Sequence, residues 1–202
     1  SKKILALGDS YTIGESVLES ERWSAQLIEF IKKDISISKH DIVAQTGWTT
    51  FELQDAIASR KLDKHYDLVT LLIGVNNQYQ NQDFSVYERD FPQLVAKSIS
   101  LAKGDKSNLI VVSIPDYAYT PFASNYSEAN RMKLSNEINQ YNTFAENTCK
   151  SKEVTFVSIT EITRQGLSNK SLVASDGLHP SETAYKMFVQ RMLPNVKMAL
   201  QD

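Results

Sequence analysis

Short apolar runs alternate along the chain with longer segments in which apolar residues recur every three or four positions. Five runs have the length and composition of buried strands, at residues 4–7, 41–45, 67–73, 109–114 and 154–158. The third run is the most continuous, which is typical of a strand that is covered on both faces. The pattern therefore predicts five strands, of which the one at 67–73 lies inside the sheet.

The segments between these runs have helical spacing. Helices are predicted at about 22–33, 49–59, 87–102, 128–149 and 181–200. Thr49 followed by Glu52 matches a capping box at the start of the second helix. The segment 76–83 is rich in Asn and Gln and is predicted to be a loop, as is the aromatic segment 117–122.

Strands that alternate with helices of ten or more residues indicate βαβ units. The predicted fold is a single α/β domain over residues 1–202, a flavodoxin-like three-layer α/β/α sandwich with a five-stranded, mainly parallel sheet. Ligands of such sheets bind at the carboxyl ends of the strands. Ser10, Gly47, Asn76 and Tyr117 each follow a predicted strand, so we expect them to meet at one edge.

Composition excludes several other classes. The 202 residues are 42% hydrophobic and 23% charged, as in average soluble chains, and the net charge of -2 argues against nucleic acid as a partner. The apolar run at 68–75 is too short to span a membrane. A single cysteine, Cys149, excludes an internal disulfide and a zinc–thiolate finger. We expect a monomer without a metal or cofactor. The start at Ser1 does not distinguish a cytoplasmic protein from an exported one whose signal peptide is absent.

The first segment with candidate chemistry is Gly8-Asp9-Ser10, with Gly14 four residues later. Its spacing matches neither a phosphate-binding P-loop, nor a dinucleotide fingerprint, nor the GxSxG elbow of ordinary α/β-hydrolases. A flavodoxin-like nucleotide-binding domain is therefore disfavoured. Taken alone, the segment has an equally good structural explanation, in which Gly and Ser only end a strand and cap the next segment.

The second segment lies near the C terminus, where Asp176 precedes His179 by three residues. In one tight turn this spacing lets a carboxylate reach a ring nitrogen, as in the acid–base half of a hydrolytic triad. The alternative is a turn before a helix in which both side chains are solvated caps. His40 and His65 have charged sequence neighbours and are interpreted as surface residues.

Together these segments resemble the SGNH, or GDSL-type, serine esterase/lipase family over nearly the whole chain. Four blocks occur in the family's order, namely Gly8-Asp9-Ser10, Gly47, Gly74-Val75-Asn76 and Asp176-Gly177-Leu178-His179. The resemblance implies that Ser10 is the nucleophile, His179 the general base and Asp176 the group that orients it. It also implies an oxyanion hole formed by the N–H groups of Ser10 and Gly47 and the side chain of Asn76.

The chain departs from the family pattern at three places. Tyr11 replaces the usual Leu after the nucleophile, Asn77 replaces a frequent Asp, and Thr46 stands before Gly47 where Asn is common. None of these changes removes a catalytic atom, although each could alter substrate preference. Asn77 could instead cap a loop, and Tyr11 could simply pack under the first helix.

These residue types suit ester hydrolysis, because a serine hydroxyl needs an adjacent base and a histidine can both accept and return its proton. We expect cleavage of a small-molecule ester, with a short acyl chain or an O-acetyl group, through an acyl-serine intermediate. The alternatives are a binding module that kept the fold without catalysis and, within the family, a lysophospholipase or thioesterase.

The walls of the substrate pocket are predicted from the segments after the second, third and fourth strands. Large rings and few charges there suit an apolar or sugar-like group, unless the rings pack the loops onto the sheet. The candidate wall residues are Trp48, Asn77, Tyr79, Tyr117, Tyr119 and Phe122. No long amphipathic lid is visible in the sequence, which disfavours a lipase that acts on long-chain triglycerides.

Overall fold

The computed structural model describes residues 1–201, and within them five strands form one parallel sheet in the order β2-β1-β3-β4-β5. The predicted α/β class and parallel sheet are confirmed. The strands are β1 (Lys2–Asp9), β2 (Ile37–Gln45), β3 (Leu68–Leu71), β4 (Leu109–Val112) and β5 (Thr155–Val157).

Helices cover both faces of this sheet. They are α1 (Ser10–Ile13), α2 (Trp23–Ile31), α3 (Thr50–Ser59), α4 (Val75–Tyr79), α5 (Phe84–Leu101), α6 (Glu128–Lys152), α7 (Thr160–Thr163) and α8 (Glu182–Ala199). α2 packs against α8, whereas α3 and α6 pack against α5. The chain passes from β1 to β2 on one side of β1, and afterwards to β3, β4 and β5 on the other side. Because these connections are right-handed, α2 and α8 cover one face of the sheet, while α3, α5 and α6 cover the other.

The core lies around the central strands. Leu5 and Leu7 of β1 and every residue of β3 are buried, because helices cover both sides of these strands. Trp23 from α2 and Phe188 from α8 are also buried. No helix in residues 1–201 has both the length and the apolar character needed to cross a bilayer.

Two elements differ from the sequence prediction. β2 begins at Ile37 rather than near residue 41, because Ile37 pairs with Lys2 and an edge strand can carry polar residues. The segment 76–83, predicted to be a loop, instead contributes most of α4. The N–H groups of Asn77 and Gln78 donate to the Gly74 carbonyl, so the local hydrogen bonds favour a helical turn despite the polar side chains.

Gly74 joins β3 to α4 in a conformation that requires glycine. Its φ is 130°, and an added Cβ would lie 2.6 Å from the ring of Tyr87. Tyr87 is buried and stacks on Phe91, so its ring has little room to move. The turn that delivers Asn76 to the end of β3 therefore depends on the absence of a side chain at position 74.

We predict that Gly74→Ala lowers the free energy of unfolding by about 2–4 kcal/mol, because the methyl group adds an overlap with Tyr87 to the strained backbone. Gly104→Ala is the matched control, since Gly104 also has a positive φ but has open space where its Cβ would lie. Urea denaturation should give a loss of about 1 kcal/mol for the control. Equal losses in the two variants would contradict the role of the Tyr87 ring.

Candidate active site

Ser10 lies at the junction between β1 and the short helix α1. β1 ends at Asp9, whose Oδ1 accepts a hydrogen bond from the Tyr11 N–H at 2.9 Å and thereby caps the turn. Ser10 is 3% exposed. The junction holds the hydroxyl at the carboxyl end of β1, an inner strand of the parallel sheet, where ligands of such sheets bind.

His179 reaches Ser10 from the other end of the chain. Its Nε2 lies 2.9 Å from Ser10 Oγ, across a separation of 169 positions in sequence. Its Nδ1 lies 2.6 Å from Oδ2 of Asp176. Ser181 caps α8 by accepting the Ala184 N–H, which fixes the turn in front of the helix. The three side chains form a continuous hydrogen-bonded chain from carboxylate to hydroxyl.

The Asp176 carboxylate is held in its ionised form. Burial acts to raise the pKa of Asp176, but hydrogen bonds from the His179 ring, from the N–H groups of His179 and Leu178 and from Ser16 outweigh it and lower the pKa to about 2. Asp176 therefore carries a negative charge next to the imidazole at any pH near neutrality, which suits it to stabilise an imidazolium.

Gly47 and Asn76 line the same cleft as Ser10, after β2 and after β3. Gly47 has φ of 86° and open space where a Cβ would be, so its backbone faces the cleft without obstruction. Asn76 Nδ2 donates to the Trp48 carbonyl at 2.9 Å. An amide nitrogen carries two hydrogens, so this bond fixes the side chain and leaves the second N–H for a ligand.

These residues line one cleft with a volume of about 190 Å³. The lining residues are Ser10, Tyr11, Thr46, Gly47, Val75, Asn76, Tyr79, Tyr117, Leu178 and His179. None of them is Asp, Glu, Lys or Arg, and burial raises the pKa of the Tyr11 phenol well above its usual value. The cleft therefore suits a small, uncharged group.

The predicted catalytic and oxyanion residues come together here, and so do two of the predicted wall residues, Tyr79 and Tyr117. Phe122 lies at the rim, with its ring centroid 6.1 Å from that of Tyr79 and 6.3 Å from that of Tyr117. It is 38% exposed. The three rings form an aromatic rim at the open end of the cleft.

Phe122 does not belong to the cleft lining, and three further predicted wall residues also lie outside it, which corrects the sequence interpretation for all four. Trp48 packs against the core, and the Cζ atom of Arg60 lies over its ring, 5.8 Å from the ring centroid. Tyr119 is partly buried and also packs against the core. Asn77 is buried and bonds the Thr50 N–H and hydroxyl at 3.0 and 2.8 Å. Asn77 therefore binds Thr50, the first residue of α3, whereas the alternative considered for it was a cap on a loop.

An ion pair between the buried Asp116 and the partly exposed Arg164 holds the loop that carries Tyr117 of the aromatic rim. Asp116 is fully buried, and its Oδ2 accepts hydrogen bonds from Arg164 at 3.0 Å and from Ser135 at 2.5 Å. Its Oδ1 accepts the Ala118 N–H, and the Tyr117 hydroxyl donates to Gln78 at 2.5 Å. The loop that carries Tyr117 is thus tied to α6, α7 and α4.

The other two histidines do not contact the cleft. His65 is exposed and lies just before β3, at the amino ends of the strands, whereas the cleft lies at their carboxyl ends. His40 lies on β2 opposite Ile4 and is half-buried rather than at the surface as predicted, and this burial lowers its pKa.

Sequence reasoning did not assign Thr46, Val75 and Leu178 to the pocket, nor did it assign Ser16 to any role. Thr46, Val75 and Leu178 each precede a motif residue in the sequence, namely Gly47, Asn76 and His179. Their position next to these residues could therefore have indicated that they line the pocket. Ser16 donates to Asp176 at 2.8 Å, and nothing in the local sequence indicates that contact. Tyr11 packs its ring 5.0 Å from that of His179, so it both lines the cleft and supports the imidazole.

The model of the GDSL-like lipase/acylhydrolase family matches residues 6–187. Comparison with curated protein sequences gives no significant match.

Solved structures with the same fold include enzymes. An acetylxylan esterase from Geobacillus stearothermophilus superimposes with a TM-score of 0.72 and 19% identity, over 97% of this chain and 94% of that one. A lipase/acylhydrolase from Enterococcus faecalis gives 0.75 and 16%, over 100% and 98% of the two chains. A lipolytic G-D-S-L protein from Veillonella parvula gives 0.68 and 16%, over 96% and 97%. At these identities the likeness establishes the shared fold.

Asp9, next to Ser10, is a buried carboxyl group with only part of its hydrogen-bonding capacity used. Oδ1 accepts the Tyr11 N–H, whereas Oδ2 has no hydrogen-bond partner in the part of the chain that the structure describes. Burial raises the pKa of Asp9 from 3.8 to about 7. The folded protein therefore binds this proton more tightly than the unfolded chain does, so the contribution of Asp9 to the free energy of unfolding falls as the pH rises from about 4 to about 7.

We predict that Asp9→Asn removes this pH dependence while it keeps the oxygen that caps α1. Relative to wild type, the variant should gain roughly 2–4 kcal/mol of unfolding free energy between about pH 4 and pH 8, measured by urea denaturation. Asp83→Asn is the control, because Asp83 is an exposed N-cap whose pKa is lowered by hydrogen bonds from Ser85. A constant difference between Asp9→Asn and wild type across this range would contradict the buried-carboxyl explanation.

Proposed function

The chain belongs to the GDSL-like lipase/acylhydrolase family, and from that premise we propose that it hydrolyses carboxylic esters of short acyl groups, such as O-acetyl esters, through an acyl-serine intermediate. The observation that carries this proposal is the hydrogen-bonded chain from Asp176 through His179 to Ser10 at the floor of a small cleft. The solved relative that is an acetylxylan esterase has the same fold and supports an acetyl group as substrate.

In the first half of the reaction, Ser10 Oγ attacks the ester carbonyl carbon while His179 Nε2 accepts the hydroxyl proton, over the 2.9 Å that separates them. The tetrahedral intermediate then collapses, the bond to the alcohol oxygen breaks, and His179 returns the proton to that oxygen. Asp176 stabilises the transient imidazolium through its contact with Nδ1. The alcohol leaves and the acyl group remains on Ser10.

In the second half, a water molecule takes the place of the alcohol. His179 accepts a proton from the water, whose oxygen attacks the acyl carbon, and the same proton returns to Ser10 Oγ as the acyl bond breaks. The products are a carboxylic acid and free enzyme. The chain's own residues supply every proton transfer in this scheme.

Charge that develops on the carbonyl oxygen needs donors that already point at it. We infer that the donors are the N–H groups of Gly47 and Ser10 and the side-chain amide of Asn76, because all three residues line the same cleft as His179. The bond from Asn76 to the Trp48 carbonyl holds the amide in place before the substrate arrives. Loss of one donor of this kind typically lowers the rate by ~10²–10³.

The size of the cleft supports a short acyl chain. Its 190 Å³ is smaller than the roughly 300–1,000 Å³ of ordinary ligand pockets. Tyr11 in the cleft lining is buried, whereas Tyr79 and Phe122 of the aromatic rim are exposed. We infer that the acyl group occupies the enclosed end beside Tyr11 and that the alcohol extends over the rim toward solvent.

We predict that p-nitrophenyl acetate is hydrolysed and that Ser10→Ala lowers the rate to near background. His179→Ala should lose most of the turnover, while His65→Ala, which changes an exposed histidine outside the cleft, should keep it. Initial rates and labelling of Ser10 by a fluorophosphonate probe provide the measurement. Retention of activity in Ser10→Ala would exclude this mechanism, and the absence of any labelling in wild type would favour a non-catalytic binding module.

We predict that kcat/KM is higher for acetyl to hexanoyl esters than for dodecanoyl esters, because a long chain does not fit the enclosed end of the cleft. Tyr79→Ala should leave this acyl-chain preference unchanged and should instead change the relative kcat/KM of acetyl esters of small and bulky alcohols severalfold, because the alcohol extends over the rim. Tyr119→Ala is the matched control, since Tyr119 lies on the same loop as Tyr117 but outside the cleft lining. A series that peaks at twelve carbons would overturn this preference.

A further inference from the structure

The segment between α1 and α2 holds a serine in an unusual backbone conformation. Ser16 has φ of 68°, in the left-handed region that residues with a Cβ adopt at a steric cost. It is exposed, so burial of apolar surface does not compensate for that cost. Strain of this kind persists where the surrounding structure uses it.

This conformation brings the Ser16 hydroxyl to the catalytic carboxylate. Ser16 Oγ donates to Asp176 Oδ2 at 2.8 Å, and the same oxygen lies 2.6 Å from His179 Nδ1. The other oxygen, Oδ1, accepts the N–H groups of Leu178 and His179, both at 2.9 Å. The turn thus holds Oδ1 from within, whereas Ser16 holds Oδ2 from a different part of the chain.

The segment that carries Ser16 is itself anchored to the site. The N–H groups of Gly14 and Glu15 both donate to the Ser10 carbonyl at 3.0 Å. The Glu15 carboxylate accepts a hydrogen bond from the hydroxyl of Thr46, which lines the cleft beside Gly47. The residues just before Ser16 are therefore hydrogen-bonded both to Ser10 and to Thr46, which precedes Gly47. These bonds hold the segment from which Ser16 contacts Asp176.

We propose that Ser16 is a positioning residue for ester hydrolysis, which holds the Asp176 carboxylate in the orientation that keeps Oδ2 on His179 Nδ1. This inference rests on the proposed function. The side chain of Asp176 is 28% exposed, so without Ser16 a water molecule would occupy the same site on Oδ2 and the carboxylate would rotate more freely. Ser16 does not line the cleft, so it acts on the chemical step and not on substrate binding.

The test compares two variants that lose the same hydroxyl and differ in backbone strain. Ser16→Gly removes the Cβ that makes a φ of 68° costly, while Ser16→Ala keeps it. Both should lower kcat for p-nitrophenyl acetate by about tenfold, the effect of losing one hydrogen bond to a charged group, with KM within about twofold of wild type. Ser16→Gly should melt at or above the wild-type temperature, and Ser16→Ala below it.

Glu153→Gly is the matched control, because Glu153 is also left-handed and exposed but precedes β5 at the opposite edge of the sheet. It should change the melting temperature without changing kcat. The proposal is overturned if kcat of Ser16→Gly stays within about twofold of wild type, or if kcat falls only in a variant that is also less stable.

Ser10→Ala, assayed in parallel, separates this inference from the proposed function. If hydrolysis by wild type does not depend on Ser10, the proposed function itself fails. If hydrolysis depends on Ser10 and Ser16→Gly is as fast as wild type, only the role of Ser16 fails.

Discussion

The parallel pairing of β1 with a strand on each side is the constraint on which the rest of the site depends. Leu7 of β1 lies opposite Val43 of β2 and Leu71 of β3, so the three strands end side by side. The chain crosses to one side of β1 first and to the other side afterwards, which opens a crevice at the carboxyl end of β1. Ser10 lies at that point, with Gly47 and Asn76 at the ends of its two neighbours.

The edge of the sheet that carries the site also carries much of the unfavourable local structure. Ser16 has a positive φ there, which is costly for a residue with a Cβ, and Asp9 is a buried carboxyl group next to the nucleophile. Such features persist only when the surrounding structure stabilises them, and the buried central strands β1 and β3 provide that support. Ser16 and Asp9 are therefore unfavourable for stability, and both lie beside the residues that form the candidate active site.

The cleft divides an ester substrate into an enclosed part and an open part. Near Ser10 the walls are uncharged and close together, which favours a small acyl group that is shielded from water. At the rim, Tyr79 and Phe122 are exposed. The third ring of the rim, Tyr117, is held in place by the ion pair between the buried Asp116 and Arg164. A rigid aromatic rim leaves the alcohol as the part of the substrate with the greater freedom to vary.

The sequence by itself determined the strand–helix alternation, and hence the α/β class and the edge at which the motif residues gather. This was possible because apolar periodicity and capping residues such as Thr49 are local signals, read over a few positions. The Asp176 and His179 spacing was equally readable, since both residues belong to one turn. The polar Asn and Gln side chains of α4 are typical of a loop, so the sequence pattern does not predict this helix. The hydrogen bonds from its backbone to the Gly74 carbonyl are visible only in the structure.

Only the tertiary structure decided which rings face the cleft and which side chains support the triad. Tyr117 and Tyr119 are two positions apart in one loop, yet only Tyr117 lines the cleft, because its hydroxyl is fixed by Gln78 of α4. Asn77 follows Asn76 directly, but its side chain binds Thr50 at the start of α3. The contact of Ser16 with Asp176 joins residues 160 positions apart through a left-handed backbone. Contacts of this kind depend on packing between distant segments, for which a single sequence carries no local signal.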